Sequence, residues 1–506
     1  MNRLICCFLL IFTAIFVFIP IYSYSQGCHC ELYDISGDSF LPRNPGVDVS
    51  ENGNAMFHFE GTNKRILKYF DAENQRLIAY EIPNTLNSAV KMHDNGDATI
   101  AYSGTSGVYV VDYDVSTGTM SSATQLYSYR YGNDPVVLAG NSSGQMALAF
   151  SDNFTDYNSY VSIYDPQTQS WTGPTQISTD PFYPAYDIQV GMTESGDVIT
   201  AYEENDRIYT NHYNAASQTW QGAVERSPSG DGYKRPYLSV NKNGQAALSY
   251  MKFSTAYLHL YQGGVWGAPV IIASSRYTEY DHGPKSAINE NGDGALIYTT
   301  GSSTKTIWLE WIKNGNVIGR GKLNLPSNSF LHSPTIASIP GSNNFVVAFS
   351  GAIGALATVV PYGTVLGGTD YTRLDPATPG HYDVHNLEVD TSAEGKIYFS
   401  FSQSTDSGMK VYAVVCQCES TEPLPDDKVE YPDGGLVDPE PANNTNGTYS
   451  PIYTSMNQTP SPAGGACKRD PCKECKVDKQ QQETTSDASF GDPVILNSLE
   501  YMLTAT

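Results

Sequence analysis

Two stretches of this chain, PYLSVNKNGQAALSY at 236–250 and PKSAINENGDGALIY at 284–298, share one pattern, which NSAVKMHDNGDATIAY at 87–102 follows closely. Each contains a polar turn with glycine at its tip and an aromatic residue six positions after that glycine. The pattern occurs eight times, with Asn343 in place of the glycine in the seventh copy, and its aromatic residues are Phe59, Tyr102, Phe150, Tyr202, Tyr250, Tyr298, Phe349 and Phe401. Successive aromatics lie 43 to 52 residues apart, and such a period indicates one structural unit repeated along the chain.

The repeat has the pattern of a small antiparallel sheet. In the copy at 236–275, Asn243-Gly244 predicts a type I′ hairpin turn, because both residues of that turn need positive φ. Ala246, Leu248 and Tyr250 then fall on one face at a period of two, as in a strand. Two further strands follow, at 257–261 and 265–272. Four antiparallel strands per repeat predict an all-β fold, an eight-bladed β-propeller, with seven blades as the alternative.

The two ends of the chain complete the eighth repeat. After Phe401 only one more strand remains, at 409–418, and a matching strand is available at 28–36. Cysteines stand at the joining ends of both strands, as Cys28, Cys30, Cys416 and Cys418. In an antiparallel pair Cys28 lies opposite Cys418 and Cys30 opposite Cys416, so we predict two disulfides that close the ring. A metal site built from the four thiols is the alternative.

The N-terminal 25 residues predict export. One arginine is followed by an apolar run over 4–21 and then by small residues, which is typical of a secretory signal peptide. An uncleaved membrane anchor is the alternative. We therefore expect a secreted or cell-surface protein whose mature chain has no membrane span.

Composition changes after the propeller, which we expect to span 26–420. Residues 421–466 are rich in Pro, Gly, Asn, Asp and Ser, as in a flexible, disordered acidic linker. A short segment follows at 467–506, with Cys467, Cys472 and Cys475 in a pairing that stays open.

The net charge excludes one class of partner. Asp and Glu number 53 against 29 Lys and Arg, which gives a formal charge of −24. Such a chain repels phosphate backbones, so nucleic acid is not an expected partner. We expect a monomeric propeller without a cofactor.

Two parts of the sequence resemble known families. Gly491-Asp492-Pro493-Val494 with Thr504-Ala505-Thr506 resembles the segment that opens the core of Rhs/YD-repeat proteins, large bacterial shells that encapsulate a toxin or form surface filaments. The repeats resemble the NGxAxAxW blades of secreted bacterial propellers, with Tyr or Phe in place of Trp. Together these resemblances imply an exported, non-catalytic interaction module ahead of an Rhs-type region. A stand-alone carbohydrate-binding propeller or glycan-active enzyme is the alternative.

Neither catalysis nor metal binding has a convincing motif. Glu203, Glu204 and Asp206 could supply the two carboxylates of a glycosidase, and a solvated loop is the alternative. The run from Asn289 to Gly294 resembles the start of an EF-hand loop, but Thr300 stands where a bidentate Glu is needed. We therefore predict a hairpin turn there, no metal site and no catalytic residues.

The connections between blades are rich in aromatic and polar residues, which suit a protein or carbohydrate surface. Three successive connections carry the predicted binding residues Tyr183, Tyr186, Tyr233, Arg235, Tyr277, Tyr280 and Asp281. The alternative is that these aromatics only pack the gaps between blades.

Overall fold

The structure of the protein is a computed structural model, and its described residues contain β-strands joined by turns. These residues are 28–36, 43–128, 136–152, 157–179, 185–253, 255–273, 283–300, 306–323, 331–351, 354–364, 371–376, 384–406 and 408–418. Within these ranges there is no helix, and therefore none long and apolar enough to span a membrane.

The strands form eight antiparallel sheets, the blades, each with its first strand innermost. The N-terminal strand β1 (Cys28–Asp34) belongs to the last blade. Blades 1 and 2 comprise β2 (Arg43–Val49), β3 (Ala55–Gly61), β4 (Lys64–Asp71) and β5 (Arg76–Pro83), then β6 (Thr85–Met92), β7 (Ala98–Gly104), β8 (Gly107–Asp114), β9 (Thr119–Met120) and β10 (Thr124–Ser128). Blades 3 and 4 comprise β11 (Val136–Gly140), β12 (Met146–Asp152), β13 (Asn158–Asp165), β14 (Ser170–Trp171) and β15 (Thr175–Gln176), then β16 (Ala185–Met192), β17 (Val198–Glu204), β18 (Arg207–Asn214), β19 (Thr219–Trp220) and β20 (Val224–Glu225).

The second half of the ring repeats the plan. Blades 5 and 6 comprise β21 (Tyr233–Val240), β22 (Ala246–Lys252), β23 (Thr255–Gln262), β24 (Val265–Trp266) and β25 (Val270–Ala273), then β26 (Lys285–Ile288), β27 (Gly294–Thr300), β28 (Thr306–Lys313) and β29 (Asn316–Lys322). Blades 7 and 8 comprise β30 (Leu331–Ser338), β31 (Asn344–Gly351), β32 (Gly354–Pro361) and β33 (Thr372–Arg373), then β34 (Val384–Thr391), β35 (Lys396–Thr405) and β36 (Gly408–Cys418) with β1 outermost. The prediction of an eight-bladed propeller is confirmed, and the seven-blade alternative is wrong.

The closure of the ring follows the predicted register. Strand β1 pairs antiparallel with β36, with Cys28 opposite Cys418 and Cys30 opposite Cys416. A disulfide joins Cys30 to Cys416, which are 386 residues apart in sequence. The side chain of Cys28 lies outside the described part, so its bond to Cys418 stays a prediction. The pairing completes the four-stranded sheet of blade 8, with β1 as its outermost strand.

The hydrophobic core is divided among the gaps between blades. Each of eight buried clusters contains residues of two neighbouring blades, so the clusters run around the whole ring. The repeated aromatic packs into the gap with the preceding blade, as Phe150 does against blade 2 and Phe349 against blade 6. Burying such a ring contributes about 1.5–3 kcal/mol, which explains why this position of the repeat stays aromatic.

The hairpin turns differ from the predicted type. Gly244 has φ of 81°, but Asn243 is not among the residues with positive φ. The N–H of Gly244 donates to the carbonyl of Asn241, and the N–H of Asn241 donates to the carbonyl of Gln245. This is a type I turn followed by a left-handed glycine, and the predicted type I′ turn is wrong. At 289–293 the same turn forms, and the side-chain oxygen of Asn289 accepts from the N–H groups of Asn291 and Asp293.

Several sequence predictions fall outside the described residues. These are the signal peptide at 1–25, the linker at 421–466, the segment at 467–506 with Cys467, Cys472 and Cys475, and the Rhs-like stretch at 491–506. Each of them stays a prediction.

Candidate functional site

The innermost strands of the eight blades form the wall of a central channel. They contact one another in sequence around the ring, from β2 through β6, β11, β16, β21, β26 and β30 to β34 and back to β2. Hydrogen bonds between a side chain and the backbone join some neighbouring inner strands. For example, the N–H of Ile288 in β26 donates to Ser239 Oγ in β21. One mouth of the channel lies where these strands begin, and the hairpin turns lie at the opposite end.

Near that first mouth, inner strands carry a β-bulge at the same place. The pairing register shifts there in β2, β16, β21 and β34. The first residue of each bulge is left-handed and not glycine: Asn44 (φ 46°), Asp187 (φ 50°), Arg235 (φ 58°) and Asn386 (φ 52°). Left-handed backbone is unfavourable for residues with a Cβ, and bulges of this kind redirect a side chain. Here they turn polar side chains towards the channel.

A cavity of about 360 Å³ opens at this mouth, and we call it the channel-mouth cavity. Its walls come from blades 4, 5, 6 and 8, and most of its lining side chains are polar or charged. The lining residues are Asp187, Gln189, Arg235, Pro236, Tyr237, Gly283, Pro284, Lys285, Asn386 and Glu388. The volume falls within the range of small-molecule sites in proteins.

Two loose ion pairs carry the charge of the channel-mouth cavity. Arg235 Nη1 lies 3.6 Å from Asp187 Oδ1, and Lys285 Nζ lies 3.3 Å from Glu388 Oε1. Lys285 Nζ also lies 5.5 Å above the ring of Tyr237, at the distance of a cation–π contact. Burial disfavours the charged Lys285, but Glu388 and Tyr237 outweigh it and raise the pKa of Lys285. Burial also raises the pKa of the Tyr237 hydroxyl. Lys285 therefore stays cationic and Tyr237 stays protonated at neutral pH.

Six of the seven predicted binding residues divide into three groups. Arg235 lines the channel-mouth cavity, as described above. Tyr186 is 47% exposed on the neighbouring strand β16 but does not line the cavity. Tyr183, Tyr277, Tyr280 and Asp281 lie outside the described residues. Their role in binding stays a prediction.

Tyr233 was expected to face solvent, and this expectation is wrong, because its side chain is only 2% exposed. Its ring packs edge-on against Tyr250 and Tyr257, with centroids 5.8 and 5.6 Å away. Lys252 Nζ lies 4.4 Å from the centre of the same ring. Strand β21 begins at this residue, which places Tyr233 in the gap between blades 4 and 5.

Sequence reasoning missed most of the cavity. Asp187, Arg235 and Asn386 each stand nine residues before the glycine of the next hairpin turn. A second set stands seven residues before that glycine: Gln189, Tyr237, Lys285 and Glu388. Aligning the repeats on the turn glycine and comparing these two columns would have indicated the site.

Two of the three candidate carboxylates of blade 4 are buried in a strand. Glu203 and Glu204 end strand β17 and are 4% and 1% exposed. Lys234 Nζ lies 3.2 Å from Glu203 and 3.0 Å from Asp206. The N–H and hydroxyl of Thr179 donate to Glu204. These groups fasten blade 4 to its neighbours, so the solvated-loop alternative is wrong for Glu203 and Glu204 and holds for Asp206, which lies in the exposed turn after β17.

A second charged group lies deeper in the channel, nearer the hairpin turns. Lys91 Nζ lies 3.0 Å from Asp48 Oδ2. Asp390 Oδ2 accepts a hydrogen bond of 2.9 Å from the N–H of Val49, across the junction of blades 8 and 1. Burial and the charge of Asp48 raise the pKa of Asp390, while Lys91 opposes the shift. The junction thus contains a carboxyl group whose pKa is raised, so that Asp390 loses its proton at a higher pH than an ordinary Asp does.

Comparison with known proteins gives similarities to solved structures. No family model matches the chain, and no curated protein matches it. A structure described as the Dos1 propeller is 9% identical and covers 76% of this chain and 94% of its own, with a TM-score of 0.46. A protein of unknown function from Dyadobacter fermentans is 14% identical and covers 56% and 93%, with a TM-score of 0.38. The Aleuria aurantia lectin in complex with Fucalpha1-6GlcNAc is 15% identical and covers 57% and 98%, with a TM-score of 0.36. None of these similarities bears on what this chain binds.

Proposed function

We propose that the chain is an exported, non-catalytic β-propeller that binds a small polar ligand in the channel-mouth cavity and serves as an interaction module. The supporting observation is the left-handed backbone at Asp187, Arg235 and Asn386, all of which line the cavity. Such backbone costs on the order of 1–2 kcal/mol for a residue such as Arg235, whereas Asp and Asn tolerate it better. Strained positions of this kind concentrate at functional sites, where they hold side chains in place.

Two observations support the non-catalytic part of the proposal. The carboxylates Glu203 and Glu204 are buried and held by Lys234 and Thr179, so water and substrate do not reach them. A Tyr–Glu–Arg cluster in blade 6 is likewise enclosed: Glu310 is fully buried and binds Tyr298 and Arg320 at 2.7 Å each. Both groups therefore tie strands and blades together.

Export and the Rhs-type context rest on other grounds. A disulfide between Cys30 and Cys416 is typical of an oxidising compartment, which supports an exported protein. The Rhs-type context rests on the resemblance of 491–506 alone. The reading frame downstream of Thr506 tests it: we expect YD repeats there, and a stop codon would contradict the proposal.

The binding proposal is tested by saturation-transfer NMR on the purified chain with a library of sugars, amino acids and small carboxylic acids. We expect at least one class to bind the wild-type chain and to lose binding in Arg235→Gly. Asn84→Gly is the matched control, because Asn84 is exposed, has φ of 56° and does not line the cavity. A library without any binder, or a binder unaffected by Arg235→Gly, would overturn the proposal.

A further inference from the structure

The charges of the channel-mouth cavity are balanced and separated around the ring. Blade 4 contributes Asp187, blades 5 and 6 contribute Arg235 and Lys285, and blade 8 contributes Glu388. Two cations thus stand side by side, with one carboxylate on each flank. The four groups sum to zero charge.

Both ion pairs leave hydrogen-bonding capacity unused. Charge-assisted N–H···O bonds are about 2.7–2.9 Å long, whereas the two pairs are at 3.6 and 3.3 Å. Apart from the ion pair with Asp187, the Arg235 side chain makes no hydrogen bond to any described residue, although its guanidinium carries five N–H donors. The Tyr237 hydroxyl, which faces the same space, also has no hydrogen-bond partner among the described residues. A ligand with charged groups would supply short bonds that the cavity itself does not make.

We propose that this ligand is a small zwitterion, a free amino acid or a dipeptide, whose carboxylate binds Arg235, Lys285 and the Tyr237 hydroxyl and whose ammonium group binds Asp187 or Glu388. The inference rests on the proposed function, since it names the ligand of the same cavity. A zwitterion has a negative group for the two cations of the cavity and a positive group for its two carboxylates. Its own net charge is zero, so every charged group of the cavity keeps a partner of opposite charge. An anion or a cation of the same size would leave one carboxylate or one cation facing a like charge.

Size and hydrogen bonding agree with this ligand class. A cavity of about 360 Å³ has room for an amino acid or a dipeptide with its side chain. Gln189 and Asn386 line the cavity as well and add amide groups that bind either a peptide bond or a hydroxyl. Hydrogen bonds to charged groups are stronger than those between neutral groups. The charged ends of the ligand therefore dominate its affinity.

The test uses the purified full chain and four sets of probes: the twenty free L-amino acids with glycylglycine, their N-acetyl derivatives, their amides, and methyl glycosides of common hexoses. Isothermal titration calorimetry should give a measurable Kd for at least one zwitterion. Its N-acetyl and amide forms should bind at least tenfold more weakly, because each lacks one charged end.

Variants assign the two ends of the ligand. Arg235→Gly should weaken binding of the zwitterion and its N-acetyl form, and at least one of Asp187→Asn and Glu388→Gln should weaken binding of the zwitterion and its amide. Asn84→Gly should change none of these affinities. Binding of methyl glycosides without binding of any zwitterion would overturn this inference and leave the proposed function standing. Equal affinity for a zwitterion and its two blocked forms would overturn it as well. Absence of binding by all four sets would overturn both.

Discussion

The hydroxyl of Tyr202 in blade 4 donates a hydrogen bond of 2.8 Å to the carbonyl of Ile177 in blade 3. Tyr250 repeats this contact one blade later, at 3.2 Å to the carbonyl of Arg226. The repeated aromatic therefore has two roles in these blades, since its ring fills the gap and its hydroxyl satisfies a carbonyl of the preceding outer segment.

Changing Tyr202 to Phe keeps the ring and leaves the Ile177 carbonyl unpaired. We expect the free energy of unfolding to fall by about 1–3 kcal/mol, the cost of an unsatisfied buried acceptor. Urea denaturation checks this. Tyr157→Phe is the control, because Tyr157 is 41% exposed and should tolerate the change without effect. Equal stability of Tyr202→Phe and the wild-type chain would contradict the role of the hydroxyl.

Changing Tyr233 to Ala should destabilise the chain rather than act on binding alone. The ring is buried between blades and contacts Tyr250, Tyr257 and Lys252. Truncating a buried aromatic costs about 3–5 kcal/mol. Thermal unfolding followed by circular dichroism measures the loss, and a melting temperature within two degrees of wild type would show that the ring is dispensable.

Arg235 permits a test of backbone strain that is separate from charge. Its φ of 58° suits glycine and disfavours alanine. Arg235→Ala and Arg235→Gly should both lose ligand binding, but the glycine variant should be more stable than the alanine variant by about 1 kcal/mol. Chemical denaturation of the two variants provides the comparison. Identical stabilities would mean that the bulge relaxes once the side chain is removed.

The junction of blades 8 and 1 should make stability depend on pH. Asp390 has a raised pKa in the folded chain, from burial first and the charge of Asp48 second. An unfolded Asp titrates at about 4, so above that pH the folded state binds more protons than the unfolded one. The contribution of Asp390 is complete below about pH 4 and is lost as the pH rises through the folded value.

We therefore expect the free energy of unfolding to decline more with rising pH in the wild-type chain than in Asp390→Asn. Denaturation of both chains at several pH values between 4 and 8 measures the two slopes. His93, which burial holds at a lowered pKa, titrates in both chains and cancels in the comparison. Parallel curves for the two chains would remove Asp390 as the cause.

The disulfide between Cys30 and Cys416 should stabilise the ring by restricting the unfolded chain. Loops of this length gain a few kcal/mol per bridge, and the second bridge adds less because the ends are already joined. Peptide mapping without reduction should show both Cys30–Cys416 and the predicted Cys28–Cys418 link. Free thiols at Cys28 and Cys418 would contradict the second bridge and leave the first unaffected.

The eight-bladed architecture could be predicted from the sequence because the residues that recur in each repeat determine local structure. The turn glycine and the aromatic six residues later mark one hairpin per blade, and the cysteine spacing predicts the register of β1 against β36. The turn type was missed because Asn243-Gly244 also occurs in the longer hairpin loop that ends with a left-handed glycine.

The candidate site was much less predictable, and the reason is the bulge. An extra residue in an inner strand moves the following side chains to the opposite face. Tyr233 and Arg235 are only two residues apart, yet one is buried between blades and the other lines the channel-mouth cavity. Alternation along the strand cannot show this difference, and only pairing with β22 shows where the register shifts.

The joining of β1 and β36 also determines how the protein responds to mechanical force. Cys28 and Cys418 stand at the same end of the antiparallel pair, so in a chain without the predicted Cys28–Cys418 bond, tension applied through them would separate the two strands one residue pair at a time. After the pairs at 28 and 29, the peeling front reaches the covalent bond between Cys30 and Cys416. Beyond that point the load passes through sulfur atoms instead of hydrogen bonds. The disulfide then carries the tension between the two ends, and the eight blades that it joins are not stretched.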